Sequence, residues 1–280
     1  MAVVLTEPAS FAAGSGLEGN PSDVAPLLAV EGVTLQYPTG EQAVTAAYRV
    51  SFQVYRSDRL ILLGPSGCGK STILKAVGGF VKPAEGRIRL NGRDIVGPGP
   101  DRVVVFQEFE QLLPWKTVKE NVVFALTASG KMRLGEAEVQ AMRYIQKVNL
   151  AKFADSYPHT LSGGMKQRVA LARCLAMNPE IILMDEPFAA LDALTRRKMQ
   201  QELLQLWSES KFTMLFVTHS ISEAIALGSR IVLLSAHPGQ VRAELPVELN
   251  TVEDERAPEF TELHDRVEKL LFQSQQDYAI

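Results

Sequence analysis

Four apolar residues, Leu60-Ile61-Leu62-Leu63, run without a break into Gly64-Pro65-Ser66-Gly67-Cys68-Gly69-Lys70-Ser71-Thr72. No other stretch limits the fold so tightly. The apolar run has the length of a strand buried on both faces, and the residues Thr72–Val77 have the spacing of a helix. Between them lies the pattern G-x-x-x-x-G-K-[ST] of a phosphate-binding loop. Glycines let the backbone wrap an anion, and consecutive N–H groups converge on it at the start of the helix. Lys70 is placed to reach the β- and γ-phosphates of a nucleotide, and the Ser71 hydroxyl to ligate Mg2+. Cys68 sits near that helix N-terminus and Lys70. The position fits either a thiol biased toward thiolate and open to alkylation, or an inert filler.

The rest of the chain fits a sheet covered on both sides. Short β-type runs occupy Leu28–Tyr37, Tyr48–Tyr55, Gly86–Asn91 and Arg102–Phe106. Helical spacing marks Glu120–Leu126, Glu136–Val148 and Ser162–Met177, the last stopped by Asn178-Pro179. Strands at Ile181–Met184, Met214–Thr218 and Arg230–Leu234 then alternate with helices at 193–209 and from Ser220. Such alternation implies an α/β fold around a mostly parallel sheet. At the end, Ala257–Phe272 places Phe260, Leu263, Val267, Leu270 and Leu271 on one helical face. Residues 1–26 are rich in Ala, Gly, Ser and Pro without periodicity, and are expected to form a mobile tail.

Composition removes several classes. With 280 residues, 46% of them hydrophobic and 22% charged, the chain is neither disordered nor fibrous. A balance of 29 basic against 32 acidic residues gives no footprint for nucleic acid, and no nucleic-acid partner is expected. Two cysteines cannot form a disulfide scaffold. No apolar run is long enough to span a bilayer and residues 1–26 do not read as a secretory signal, so any membrane association is expected to come through a partner.

The second chemical segment is Ile181-Ile182-Leu183-Met184-Asp185-Glu186-Pro187. A buried strand here delivers two carboxylates at its C-terminal end, where open α/β sheets bind ligands. Asp185 suits the Mg2+ side of a nucleotide site, and Glu186 is placed to polarise an attacking water. Between the two segments, Leu161-Ser162-Gly163-Gly164-Met165 opens a helix with a serine cap and two glycines, a second anion-ready terminus.

In that order and spacing, the three segments resemble the P-loop, signature and Walker B motifs of ABC ATPases. The resemblance covers about residues 27–245. It implies a P-loop NTPase core with a helical insert at about 108–174, followed by a tail at 246–280 with a short amphipathic helix. ATP and Mg2+ are implied as ligands. Tyr37 resembles the aromatic residue that stacks on adenine. Gln107 resembles the glutamine that touches Mg2+ and water and hinges the helical insert. Asp192, in Ala190-Leu191-Asp192, is similar to the aspartate that crosses a dimer interface. His219 resembles the switch histidine that contacts the γ-phosphate. Ser162, Gly163 and Gly164 would face ATP held by the opposite subunit, whether a second copy or a close homologue. Met165, Ser220 and Ala189 depart from the commonest residues of the family, but none removes a group assigned to the chemistry.

Gly97-Pro98-Gly99-Pro100, Leu112-Leu113-Pro114-Trp115 and Pro187–Arg196 are similar to the nitrate, sulfonate and taurine importers. That likeness implies a cytoplasmic, peripheral subunit driving a membrane permease fed by a periplasmic substrate-binding protein. The alternative is a soluble ABC ATPase acting on ribosomes or DNA. The apolar segment Leu112–Trp115 leaves two readings open: packing inside the helical insert, or a groove for a permease helix.

Overall fold

The computed structural model describes residues 25–39, 42–107, 111–248 and 257–272. The expected N-terminal tail therefore lies almost wholly outside the described residues. In chain order the elements are β1 (Leu28–Thr39), β2 (Gln42–Val54), β3 (Arg59–Leu63), α1 (Lys70–Val77), β4 (Glu85–Leu90), β5 (Arg93–Asp94) and β6 (Arg102–Val105). Helices α2 (Val118–Ala128), α3 (Leu134–Lys147) and α4 (Gly163–Ala176) follow, with two short 3-10 turns between α3 and α4. The chain then returns through β7 (Ile181–Asp185), α5 (Ala193–Ser210), β8 (Met214–Thr218), α6 (Ile221–Leu227), β9 (Arg230–Leu234), β10 (Val241–Pro246) and α7 (Pro258–Phe272).

Two sheets result. The larger has the order β10-β9-β3-β8-β7-β6 and is parallel except where β10 pairs with β9. The smaller, β2-β1-β4-β5, is antiparallel throughout. Alternation along β3 explains how the two are joined. Leu60 and Leu62 enter a core shared with β1, β2, β4 and α1, while Ile61 and Leu63 enter a second core on the helical side. Successive strand side chains point to opposite faces, so a strand between two cores must be apolar at every position. Each of these four side chains, removed entirely from water, contributes about 1.5–3 kcal/mol.

Local chemistry sets the helix starts. Thr117 Oγ1 accepts the Glu120 N–H at 3.2 Å, and the Glu120 carboxylate accepts the Thr117 N–H at 2.7 Å. This reciprocal capping moves the start of α2 to Val118, ahead of the apolar spacing first visible at Glu120. Ser162, Asp192 and Ser220 cap α4, α5 and α6 in the simpler one-bond manner.

Helices α2, α3 and α4 pack on one another between β6 and β7. Two ion pairs fasten this group to α5: Arg168 to Glu202 through two bonds of 2.7 and 2.6 Å, and Lys147 to Glu209 at 3.0 Å. The helix at the C-terminal end is docked rather than free. Phe260 and Val267 of α7 are buried in the helical-side core, with Leu263, Leu270 and Leu271 packed against it.

Three features depart from the expectations. Strand β2 begins at Gln42, six residues before the expected start, because Val44 and Thr45 pair with Tyr37 and Gln36 of β1. The strands flanking the P-loop region build a separate antiparallel sheet, a choice fixed by long-range pairing. The short edge strands β5 and β10 were not expected at all.

Leu112–Trp115 is shaped by one buried side chain. Asn121 is fully enclosed; its Oδ1 accepts the Leu113 N–H at 2.8 Å, and its Nδ2 reaches the carbonyls of Leu113, Lys116 and Thr117 at 3.0–3.1 Å. Replacing it leaves buried backbone groups without partners, at about 1–3 kcal/mol. Asn121→Ala is therefore expected to lower stability by that amount in urea unfolding followed by circular dichroism. A loss under 0.5 kcal/mol (roughly the scatter of a neutral surface change) would contradict this account.

Candidate functional site

The glycine-rich loop and the two acidic residues meet at the C-terminal edge of the parallel sheet. Strand β3 delivers the P-loop, and α1 begins at Lys70 directly after it. Gly67 and Gly69 take φ of +78° and +93°, a region that glycine enters at no steric cost. At Gly69 a Cβ would also lie 2.4 Å from the Ala46 carbonyl oxygen, so no larger residue fits. The Lys70 side chain is enclosed, and its ammonium donates to the carbonyls of Gly64 and Pro65 at 2.9 Å each. A cation is thereby held inside the loop.

Strands β7 and β8 bring the acidic and imidazole groups to the same edge. Ser71 Oγ donates to Asp185 Oδ1 at 2.7 Å, joining the start of α1 to the end of β7. Burial pushes the Asp185 carboxyl above its ordinary range; the Ser71 hydrogen bond opposes this, and the neighbouring Glu186 charge adds to it. Glu186 has φ +44°, a left-handed conformation that costs a non-glycine residue on the order of 1 kcal/mol. It is held there by its N–H bond to the Val217 carbonyl at 3.0 Å. The turn aims the carboxylate at the end of β8, where Glu186 Oε2 and His219 Nδ1 are 2.9 Å apart.

A second group of residues lies on α4 and α5. Ser162 Oγ accepts the Met165 N–H at 3.4 Å. A Cβ on Gly164 would come within 2.9 Å of Thr195 Cγ2, so the first turn of α4 abuts the first turn of α5 through a glycine. There Asp192 accepts the Thr195 N–H at 3.0 Å, which holds its carboxyl below the ordinary range. Ser162 and Asp192 are both exposed to solvent. Gln107, also exposed, follows β6, whose Val105 is in register with Met184 of β7. Tyr37 is half exposed, and its hydroxyl donates to Thr72 Oγ1 at 3.2 Å, so the ring borders the P-loop helix.

Comparison with known proteins decides the family. The family model described as ABC transporter matches residues 48–189. An uncharacterized ABC transporter ATP-binding protein of Methanocaldococcus jannaschii is 44% identical over 87% of this chain and 91% of its own length. The chain belongs to the ABC transporter family. The likeness to the taurine importer group also holds: the taurine import ATP-binding protein TauB of Rhizobium johnstonii is 42% identical over 82% of this chain and 90% of the relative. The bicarbonate transport ATP-binding protein CmpD of Synechocystis is 43% identical over 75% of each. Among solved structures, the dimeric post-hydrolysis state of the ATP-binding cassette MJ0796 bound to ADP and Pi matches with a TM-score of 0.69. The two sequences are 35% identical, over 79% of this chain and 99% of that one.

As an ABC ATPase, the chain has a site in two parts. Gly64–Thr72, Asp185, Glu186 and His219 are brought together at one sheet edge. Ser162–Gly164 and Asp192 form a separate group on adjoining helix starts, with Ser162 and Asp192 exposed and Gly164 buried between the helices.

The reactive reading of Cys68 is overturned. The thiol lies beneath the loop, fully enclosed, and a Cβ on Gly64 would sit 2.8 Å from its sulfur. Burial raises the thiol above its ordinary value, and Lys70 only partly opposes this.

Sequence reasoning missed Gly239, in the connection from β9 to β10. Its N–H donates to the Ala46 carbonyl at 3.1 Å and its carbonyl accepts the Tyr48 N–H at 2.9 Å. A Cβ there would lie 2.0 Å from the Cys68 carbonyl oxygen, and the obstacle is backbone that cannot rotate away. The only local signal is the turn-forming pair Pro238-Gly239. Gly239→Ala is expected to push the P-loop out of shape and weaken ATP binding about tenfold or more. Equilibrium binding of ATP checks this, and an unchanged dissociation constant would show that the loop tolerates the added carbon.

Proposed function

We propose that this chain is the ATP-hydrolysing subunit of an importer for a small anion, working as an ATP-sandwich dimer beneath a separate membrane permease. The observation that carries the reading is the hydrogen-bonded pair Glu186–His219, set beside Ser71–Asp185 and Lys70 at one sheet edge. A nucleotide-binding module without turnover would have no need of that pair.

ATP would lie with its phosphates against the P-loop N–H groups, and the Lys70 ammonium would exchange the Gly64 and Pro65 carbonyls for phosphate oxygens. The Ser71 hydroxyl and Asp185 carboxylate form a set of hard oxygen donors suited to Mg2+, with Gln107 following β6 as a third. Bound there, Mg2+ would neutralise charge on the β- and γ-phosphates. Glu186 would accept a proton from water as the water oxygen bonds to the γ-phosphorus. The bond from that phosphorus to the β–γ bridging oxygen then breaks, giving ADP and phosphate. His219 would hold the Glu186 carboxylate in line and face the γ-phosphate, while Tyr37 would stack on adenine.

Ser162–Gly164 and Asp192 fit a role across a dimer. The partner subunit's Ser162 and the helix start behind it would close over the same γ-phosphate, so closure would depend on ATP and reverse after hydrolysis. Dimeric cassettes among the solved relatives support this arrangement. Among the described residues, no helix is long and apolar enough to cross a membrane. The permease would supply the membrane span, this chain would sit at the cytoplasmic face, and a periplasmic binding protein would deliver the anion. Taurine and bicarbonate, named for the relatives, set the expected substrate class.

Glu186→Gln keeps the side chain's size and removes the charge that takes the proton. Hydrolysis is expected to fall by about 10²–10⁴-fold while ATP still binds. Steady-state phosphate release beside equilibrium ATP binding checks this, and near-normal turnover would remove Glu186 from the chemistry.

Trp115 tests the coupling. Its ring is 69% exposed while Leu112 is buried, so the inward-packing reading fails for the tryptophan and holds for Leu112. Exposed aromatic anchors commonly dominate interfaces, and truncating one costs about 2 kcal/mol or more. Trp115→Ala is expected to leave the melting temperature unchanged and to weaken co-purification with the permease. Unaltered permease recovery would end the coupling role, and recovery of ribosomes or DNA in its place would favour the soluble alternative.

A further inference from the structure

Glu186 and His219 line a cavity of about 60 Å³ together with Arg196, Thr218 and Glu223. Glu223 is a buried carboxylate in the first turn of α6, and the hydrolysis described above does not use it. Its two oxygens are committed to different elements. Oε1 accepts from Gln200 Nε2 of α5 at 3.0 Å, and Oε2 accepts the Thr218 hydroxyl of β8. That hydroxyl in turn accepts the Ser220 N–H at 3.0 Å, and the Glu223 N–H donates to Ser220 Oγ at 3.3 Å. His219 is therefore clasped between two residues whose positions depend on Glu223.

On the α5 side the chain of contacts continues. Gln200 is one turn from Arg196, whose guanidinium donates to the carbonyls of Phe188 at 3.2 Å and Leu191 at 2.9 Å. Those carbonyls lie in the segment between Glu186 and Asp192. A buried charge is costly unless it is paired and hydrogen-bonded. Burial indeed drives the Glu223 carboxyl above its ordinary range, against its hydrogen bonds and the nearby Arg196 charge. A neutral side chain would fill the space at lower cost, so the site is built for the bonds that a carboxylate makes.

We propose that Glu223 is a positioning residue that ties the start of α5, where Asp192 stands, to the loop carrying His219. It holds the imidazole in register with Glu186, and a displacement of the Asp192 segment reaches the hydrolytic pair through Arg196, Gln200 and Glu223.

The test uses the full chain with two variants. Glu223→Gln removes the charge in place, and Gln200→Met breaks only the link to α5 at similar volume. Turnover number and KM are measured beside ATP affinity, melting temperature and hydrogen exchange of the segment 216–224. Glu223→Gln is expected to lower kcat about tenfold or more with KM and ATP affinity within about twofold. Exchange should rise in 216–224 while β3 and β7 stay protected. Gln200→Met should lower kcat by a smaller factor, and the double variant should be no worse than Glu223→Gln alone, because both act on one link.

Retained kcat in a folded Glu223→Gln protein overturns the proposal, as does faster exchange in 216–224 without loss of turnover. Should Glu223→Gln fail to fold, Gln200→Met decides, and full kcat there makes Glu223 a purely structural residue. The inference rests on the ATPase reading. Normal turnover in Glu186→Gln would sink that reading, whereas normal turnover in Glu223→Gln would sink only this one.

Discussion

The hydrogen bond from Ser71 to Asp185 joins segments 114 residues apart and fixes the phosphate loop against the acidic strand. Everything chemical depends on that closure. It can form only if β3 and β7 lie in one parallel sheet with their C-terminal ends level, and β8 between them sets the level through its register with both. The same strand delivers His219 beside Glu186. The two cores that press on the sheet thus act on the site at second hand. They hold three strand ends within the span of a few hydrogen bonds, and the loops beyond those ends do the rest.

Three segments of the site were legible because each joins a local pattern to a local chemical need. Leu60–Leu63 before a glycine-rich turn, Ile181–Met184 before two carboxylates, and Ser162 before two glycines each announce a backbone shape and a charge together. Residues whose role depends on a distant neighbour left no such mark. Nothing around Gly239 shows that Cys68 lies against it, and nothing around Glu223 shows that Gln200 turns inward to meet it. Cys68 failed for a related reason. Lys70 does stand 4.0 Å from the sulfur, but the thiol is fully enclosed and its burial outweighs the cation, which the order of residues along the chain cannot reveal. The separate antiparallel sheet was hidden likewise, since strand pairing is a long-range choice that hydrophobic alternation leaves open.

The polar seam between the helical insert and α5 has a different character from the cores. Arg168–Glu202 is a bidentate pair, largely enclosed, and Lys147–Glu209 a single contact nearer solvent. These pairs fix how α3 and α4 sit on α5, beside apolar side chains of the same helices that share the helical-side core.

The contact of Gly239 with the P-loop has a consequence for the order in which the protein is made. The phosphate loop leaves the ribosome early, yet its floor arrives only with the β9–β10 connection, after every other strand of the large sheet except β10. A nascent chain therefore carries the binding motif for most of its synthesis without a finished site. ATP stabilises only what it binds, so it can act as a folding ligand for the completed chain and not for its growing fragments.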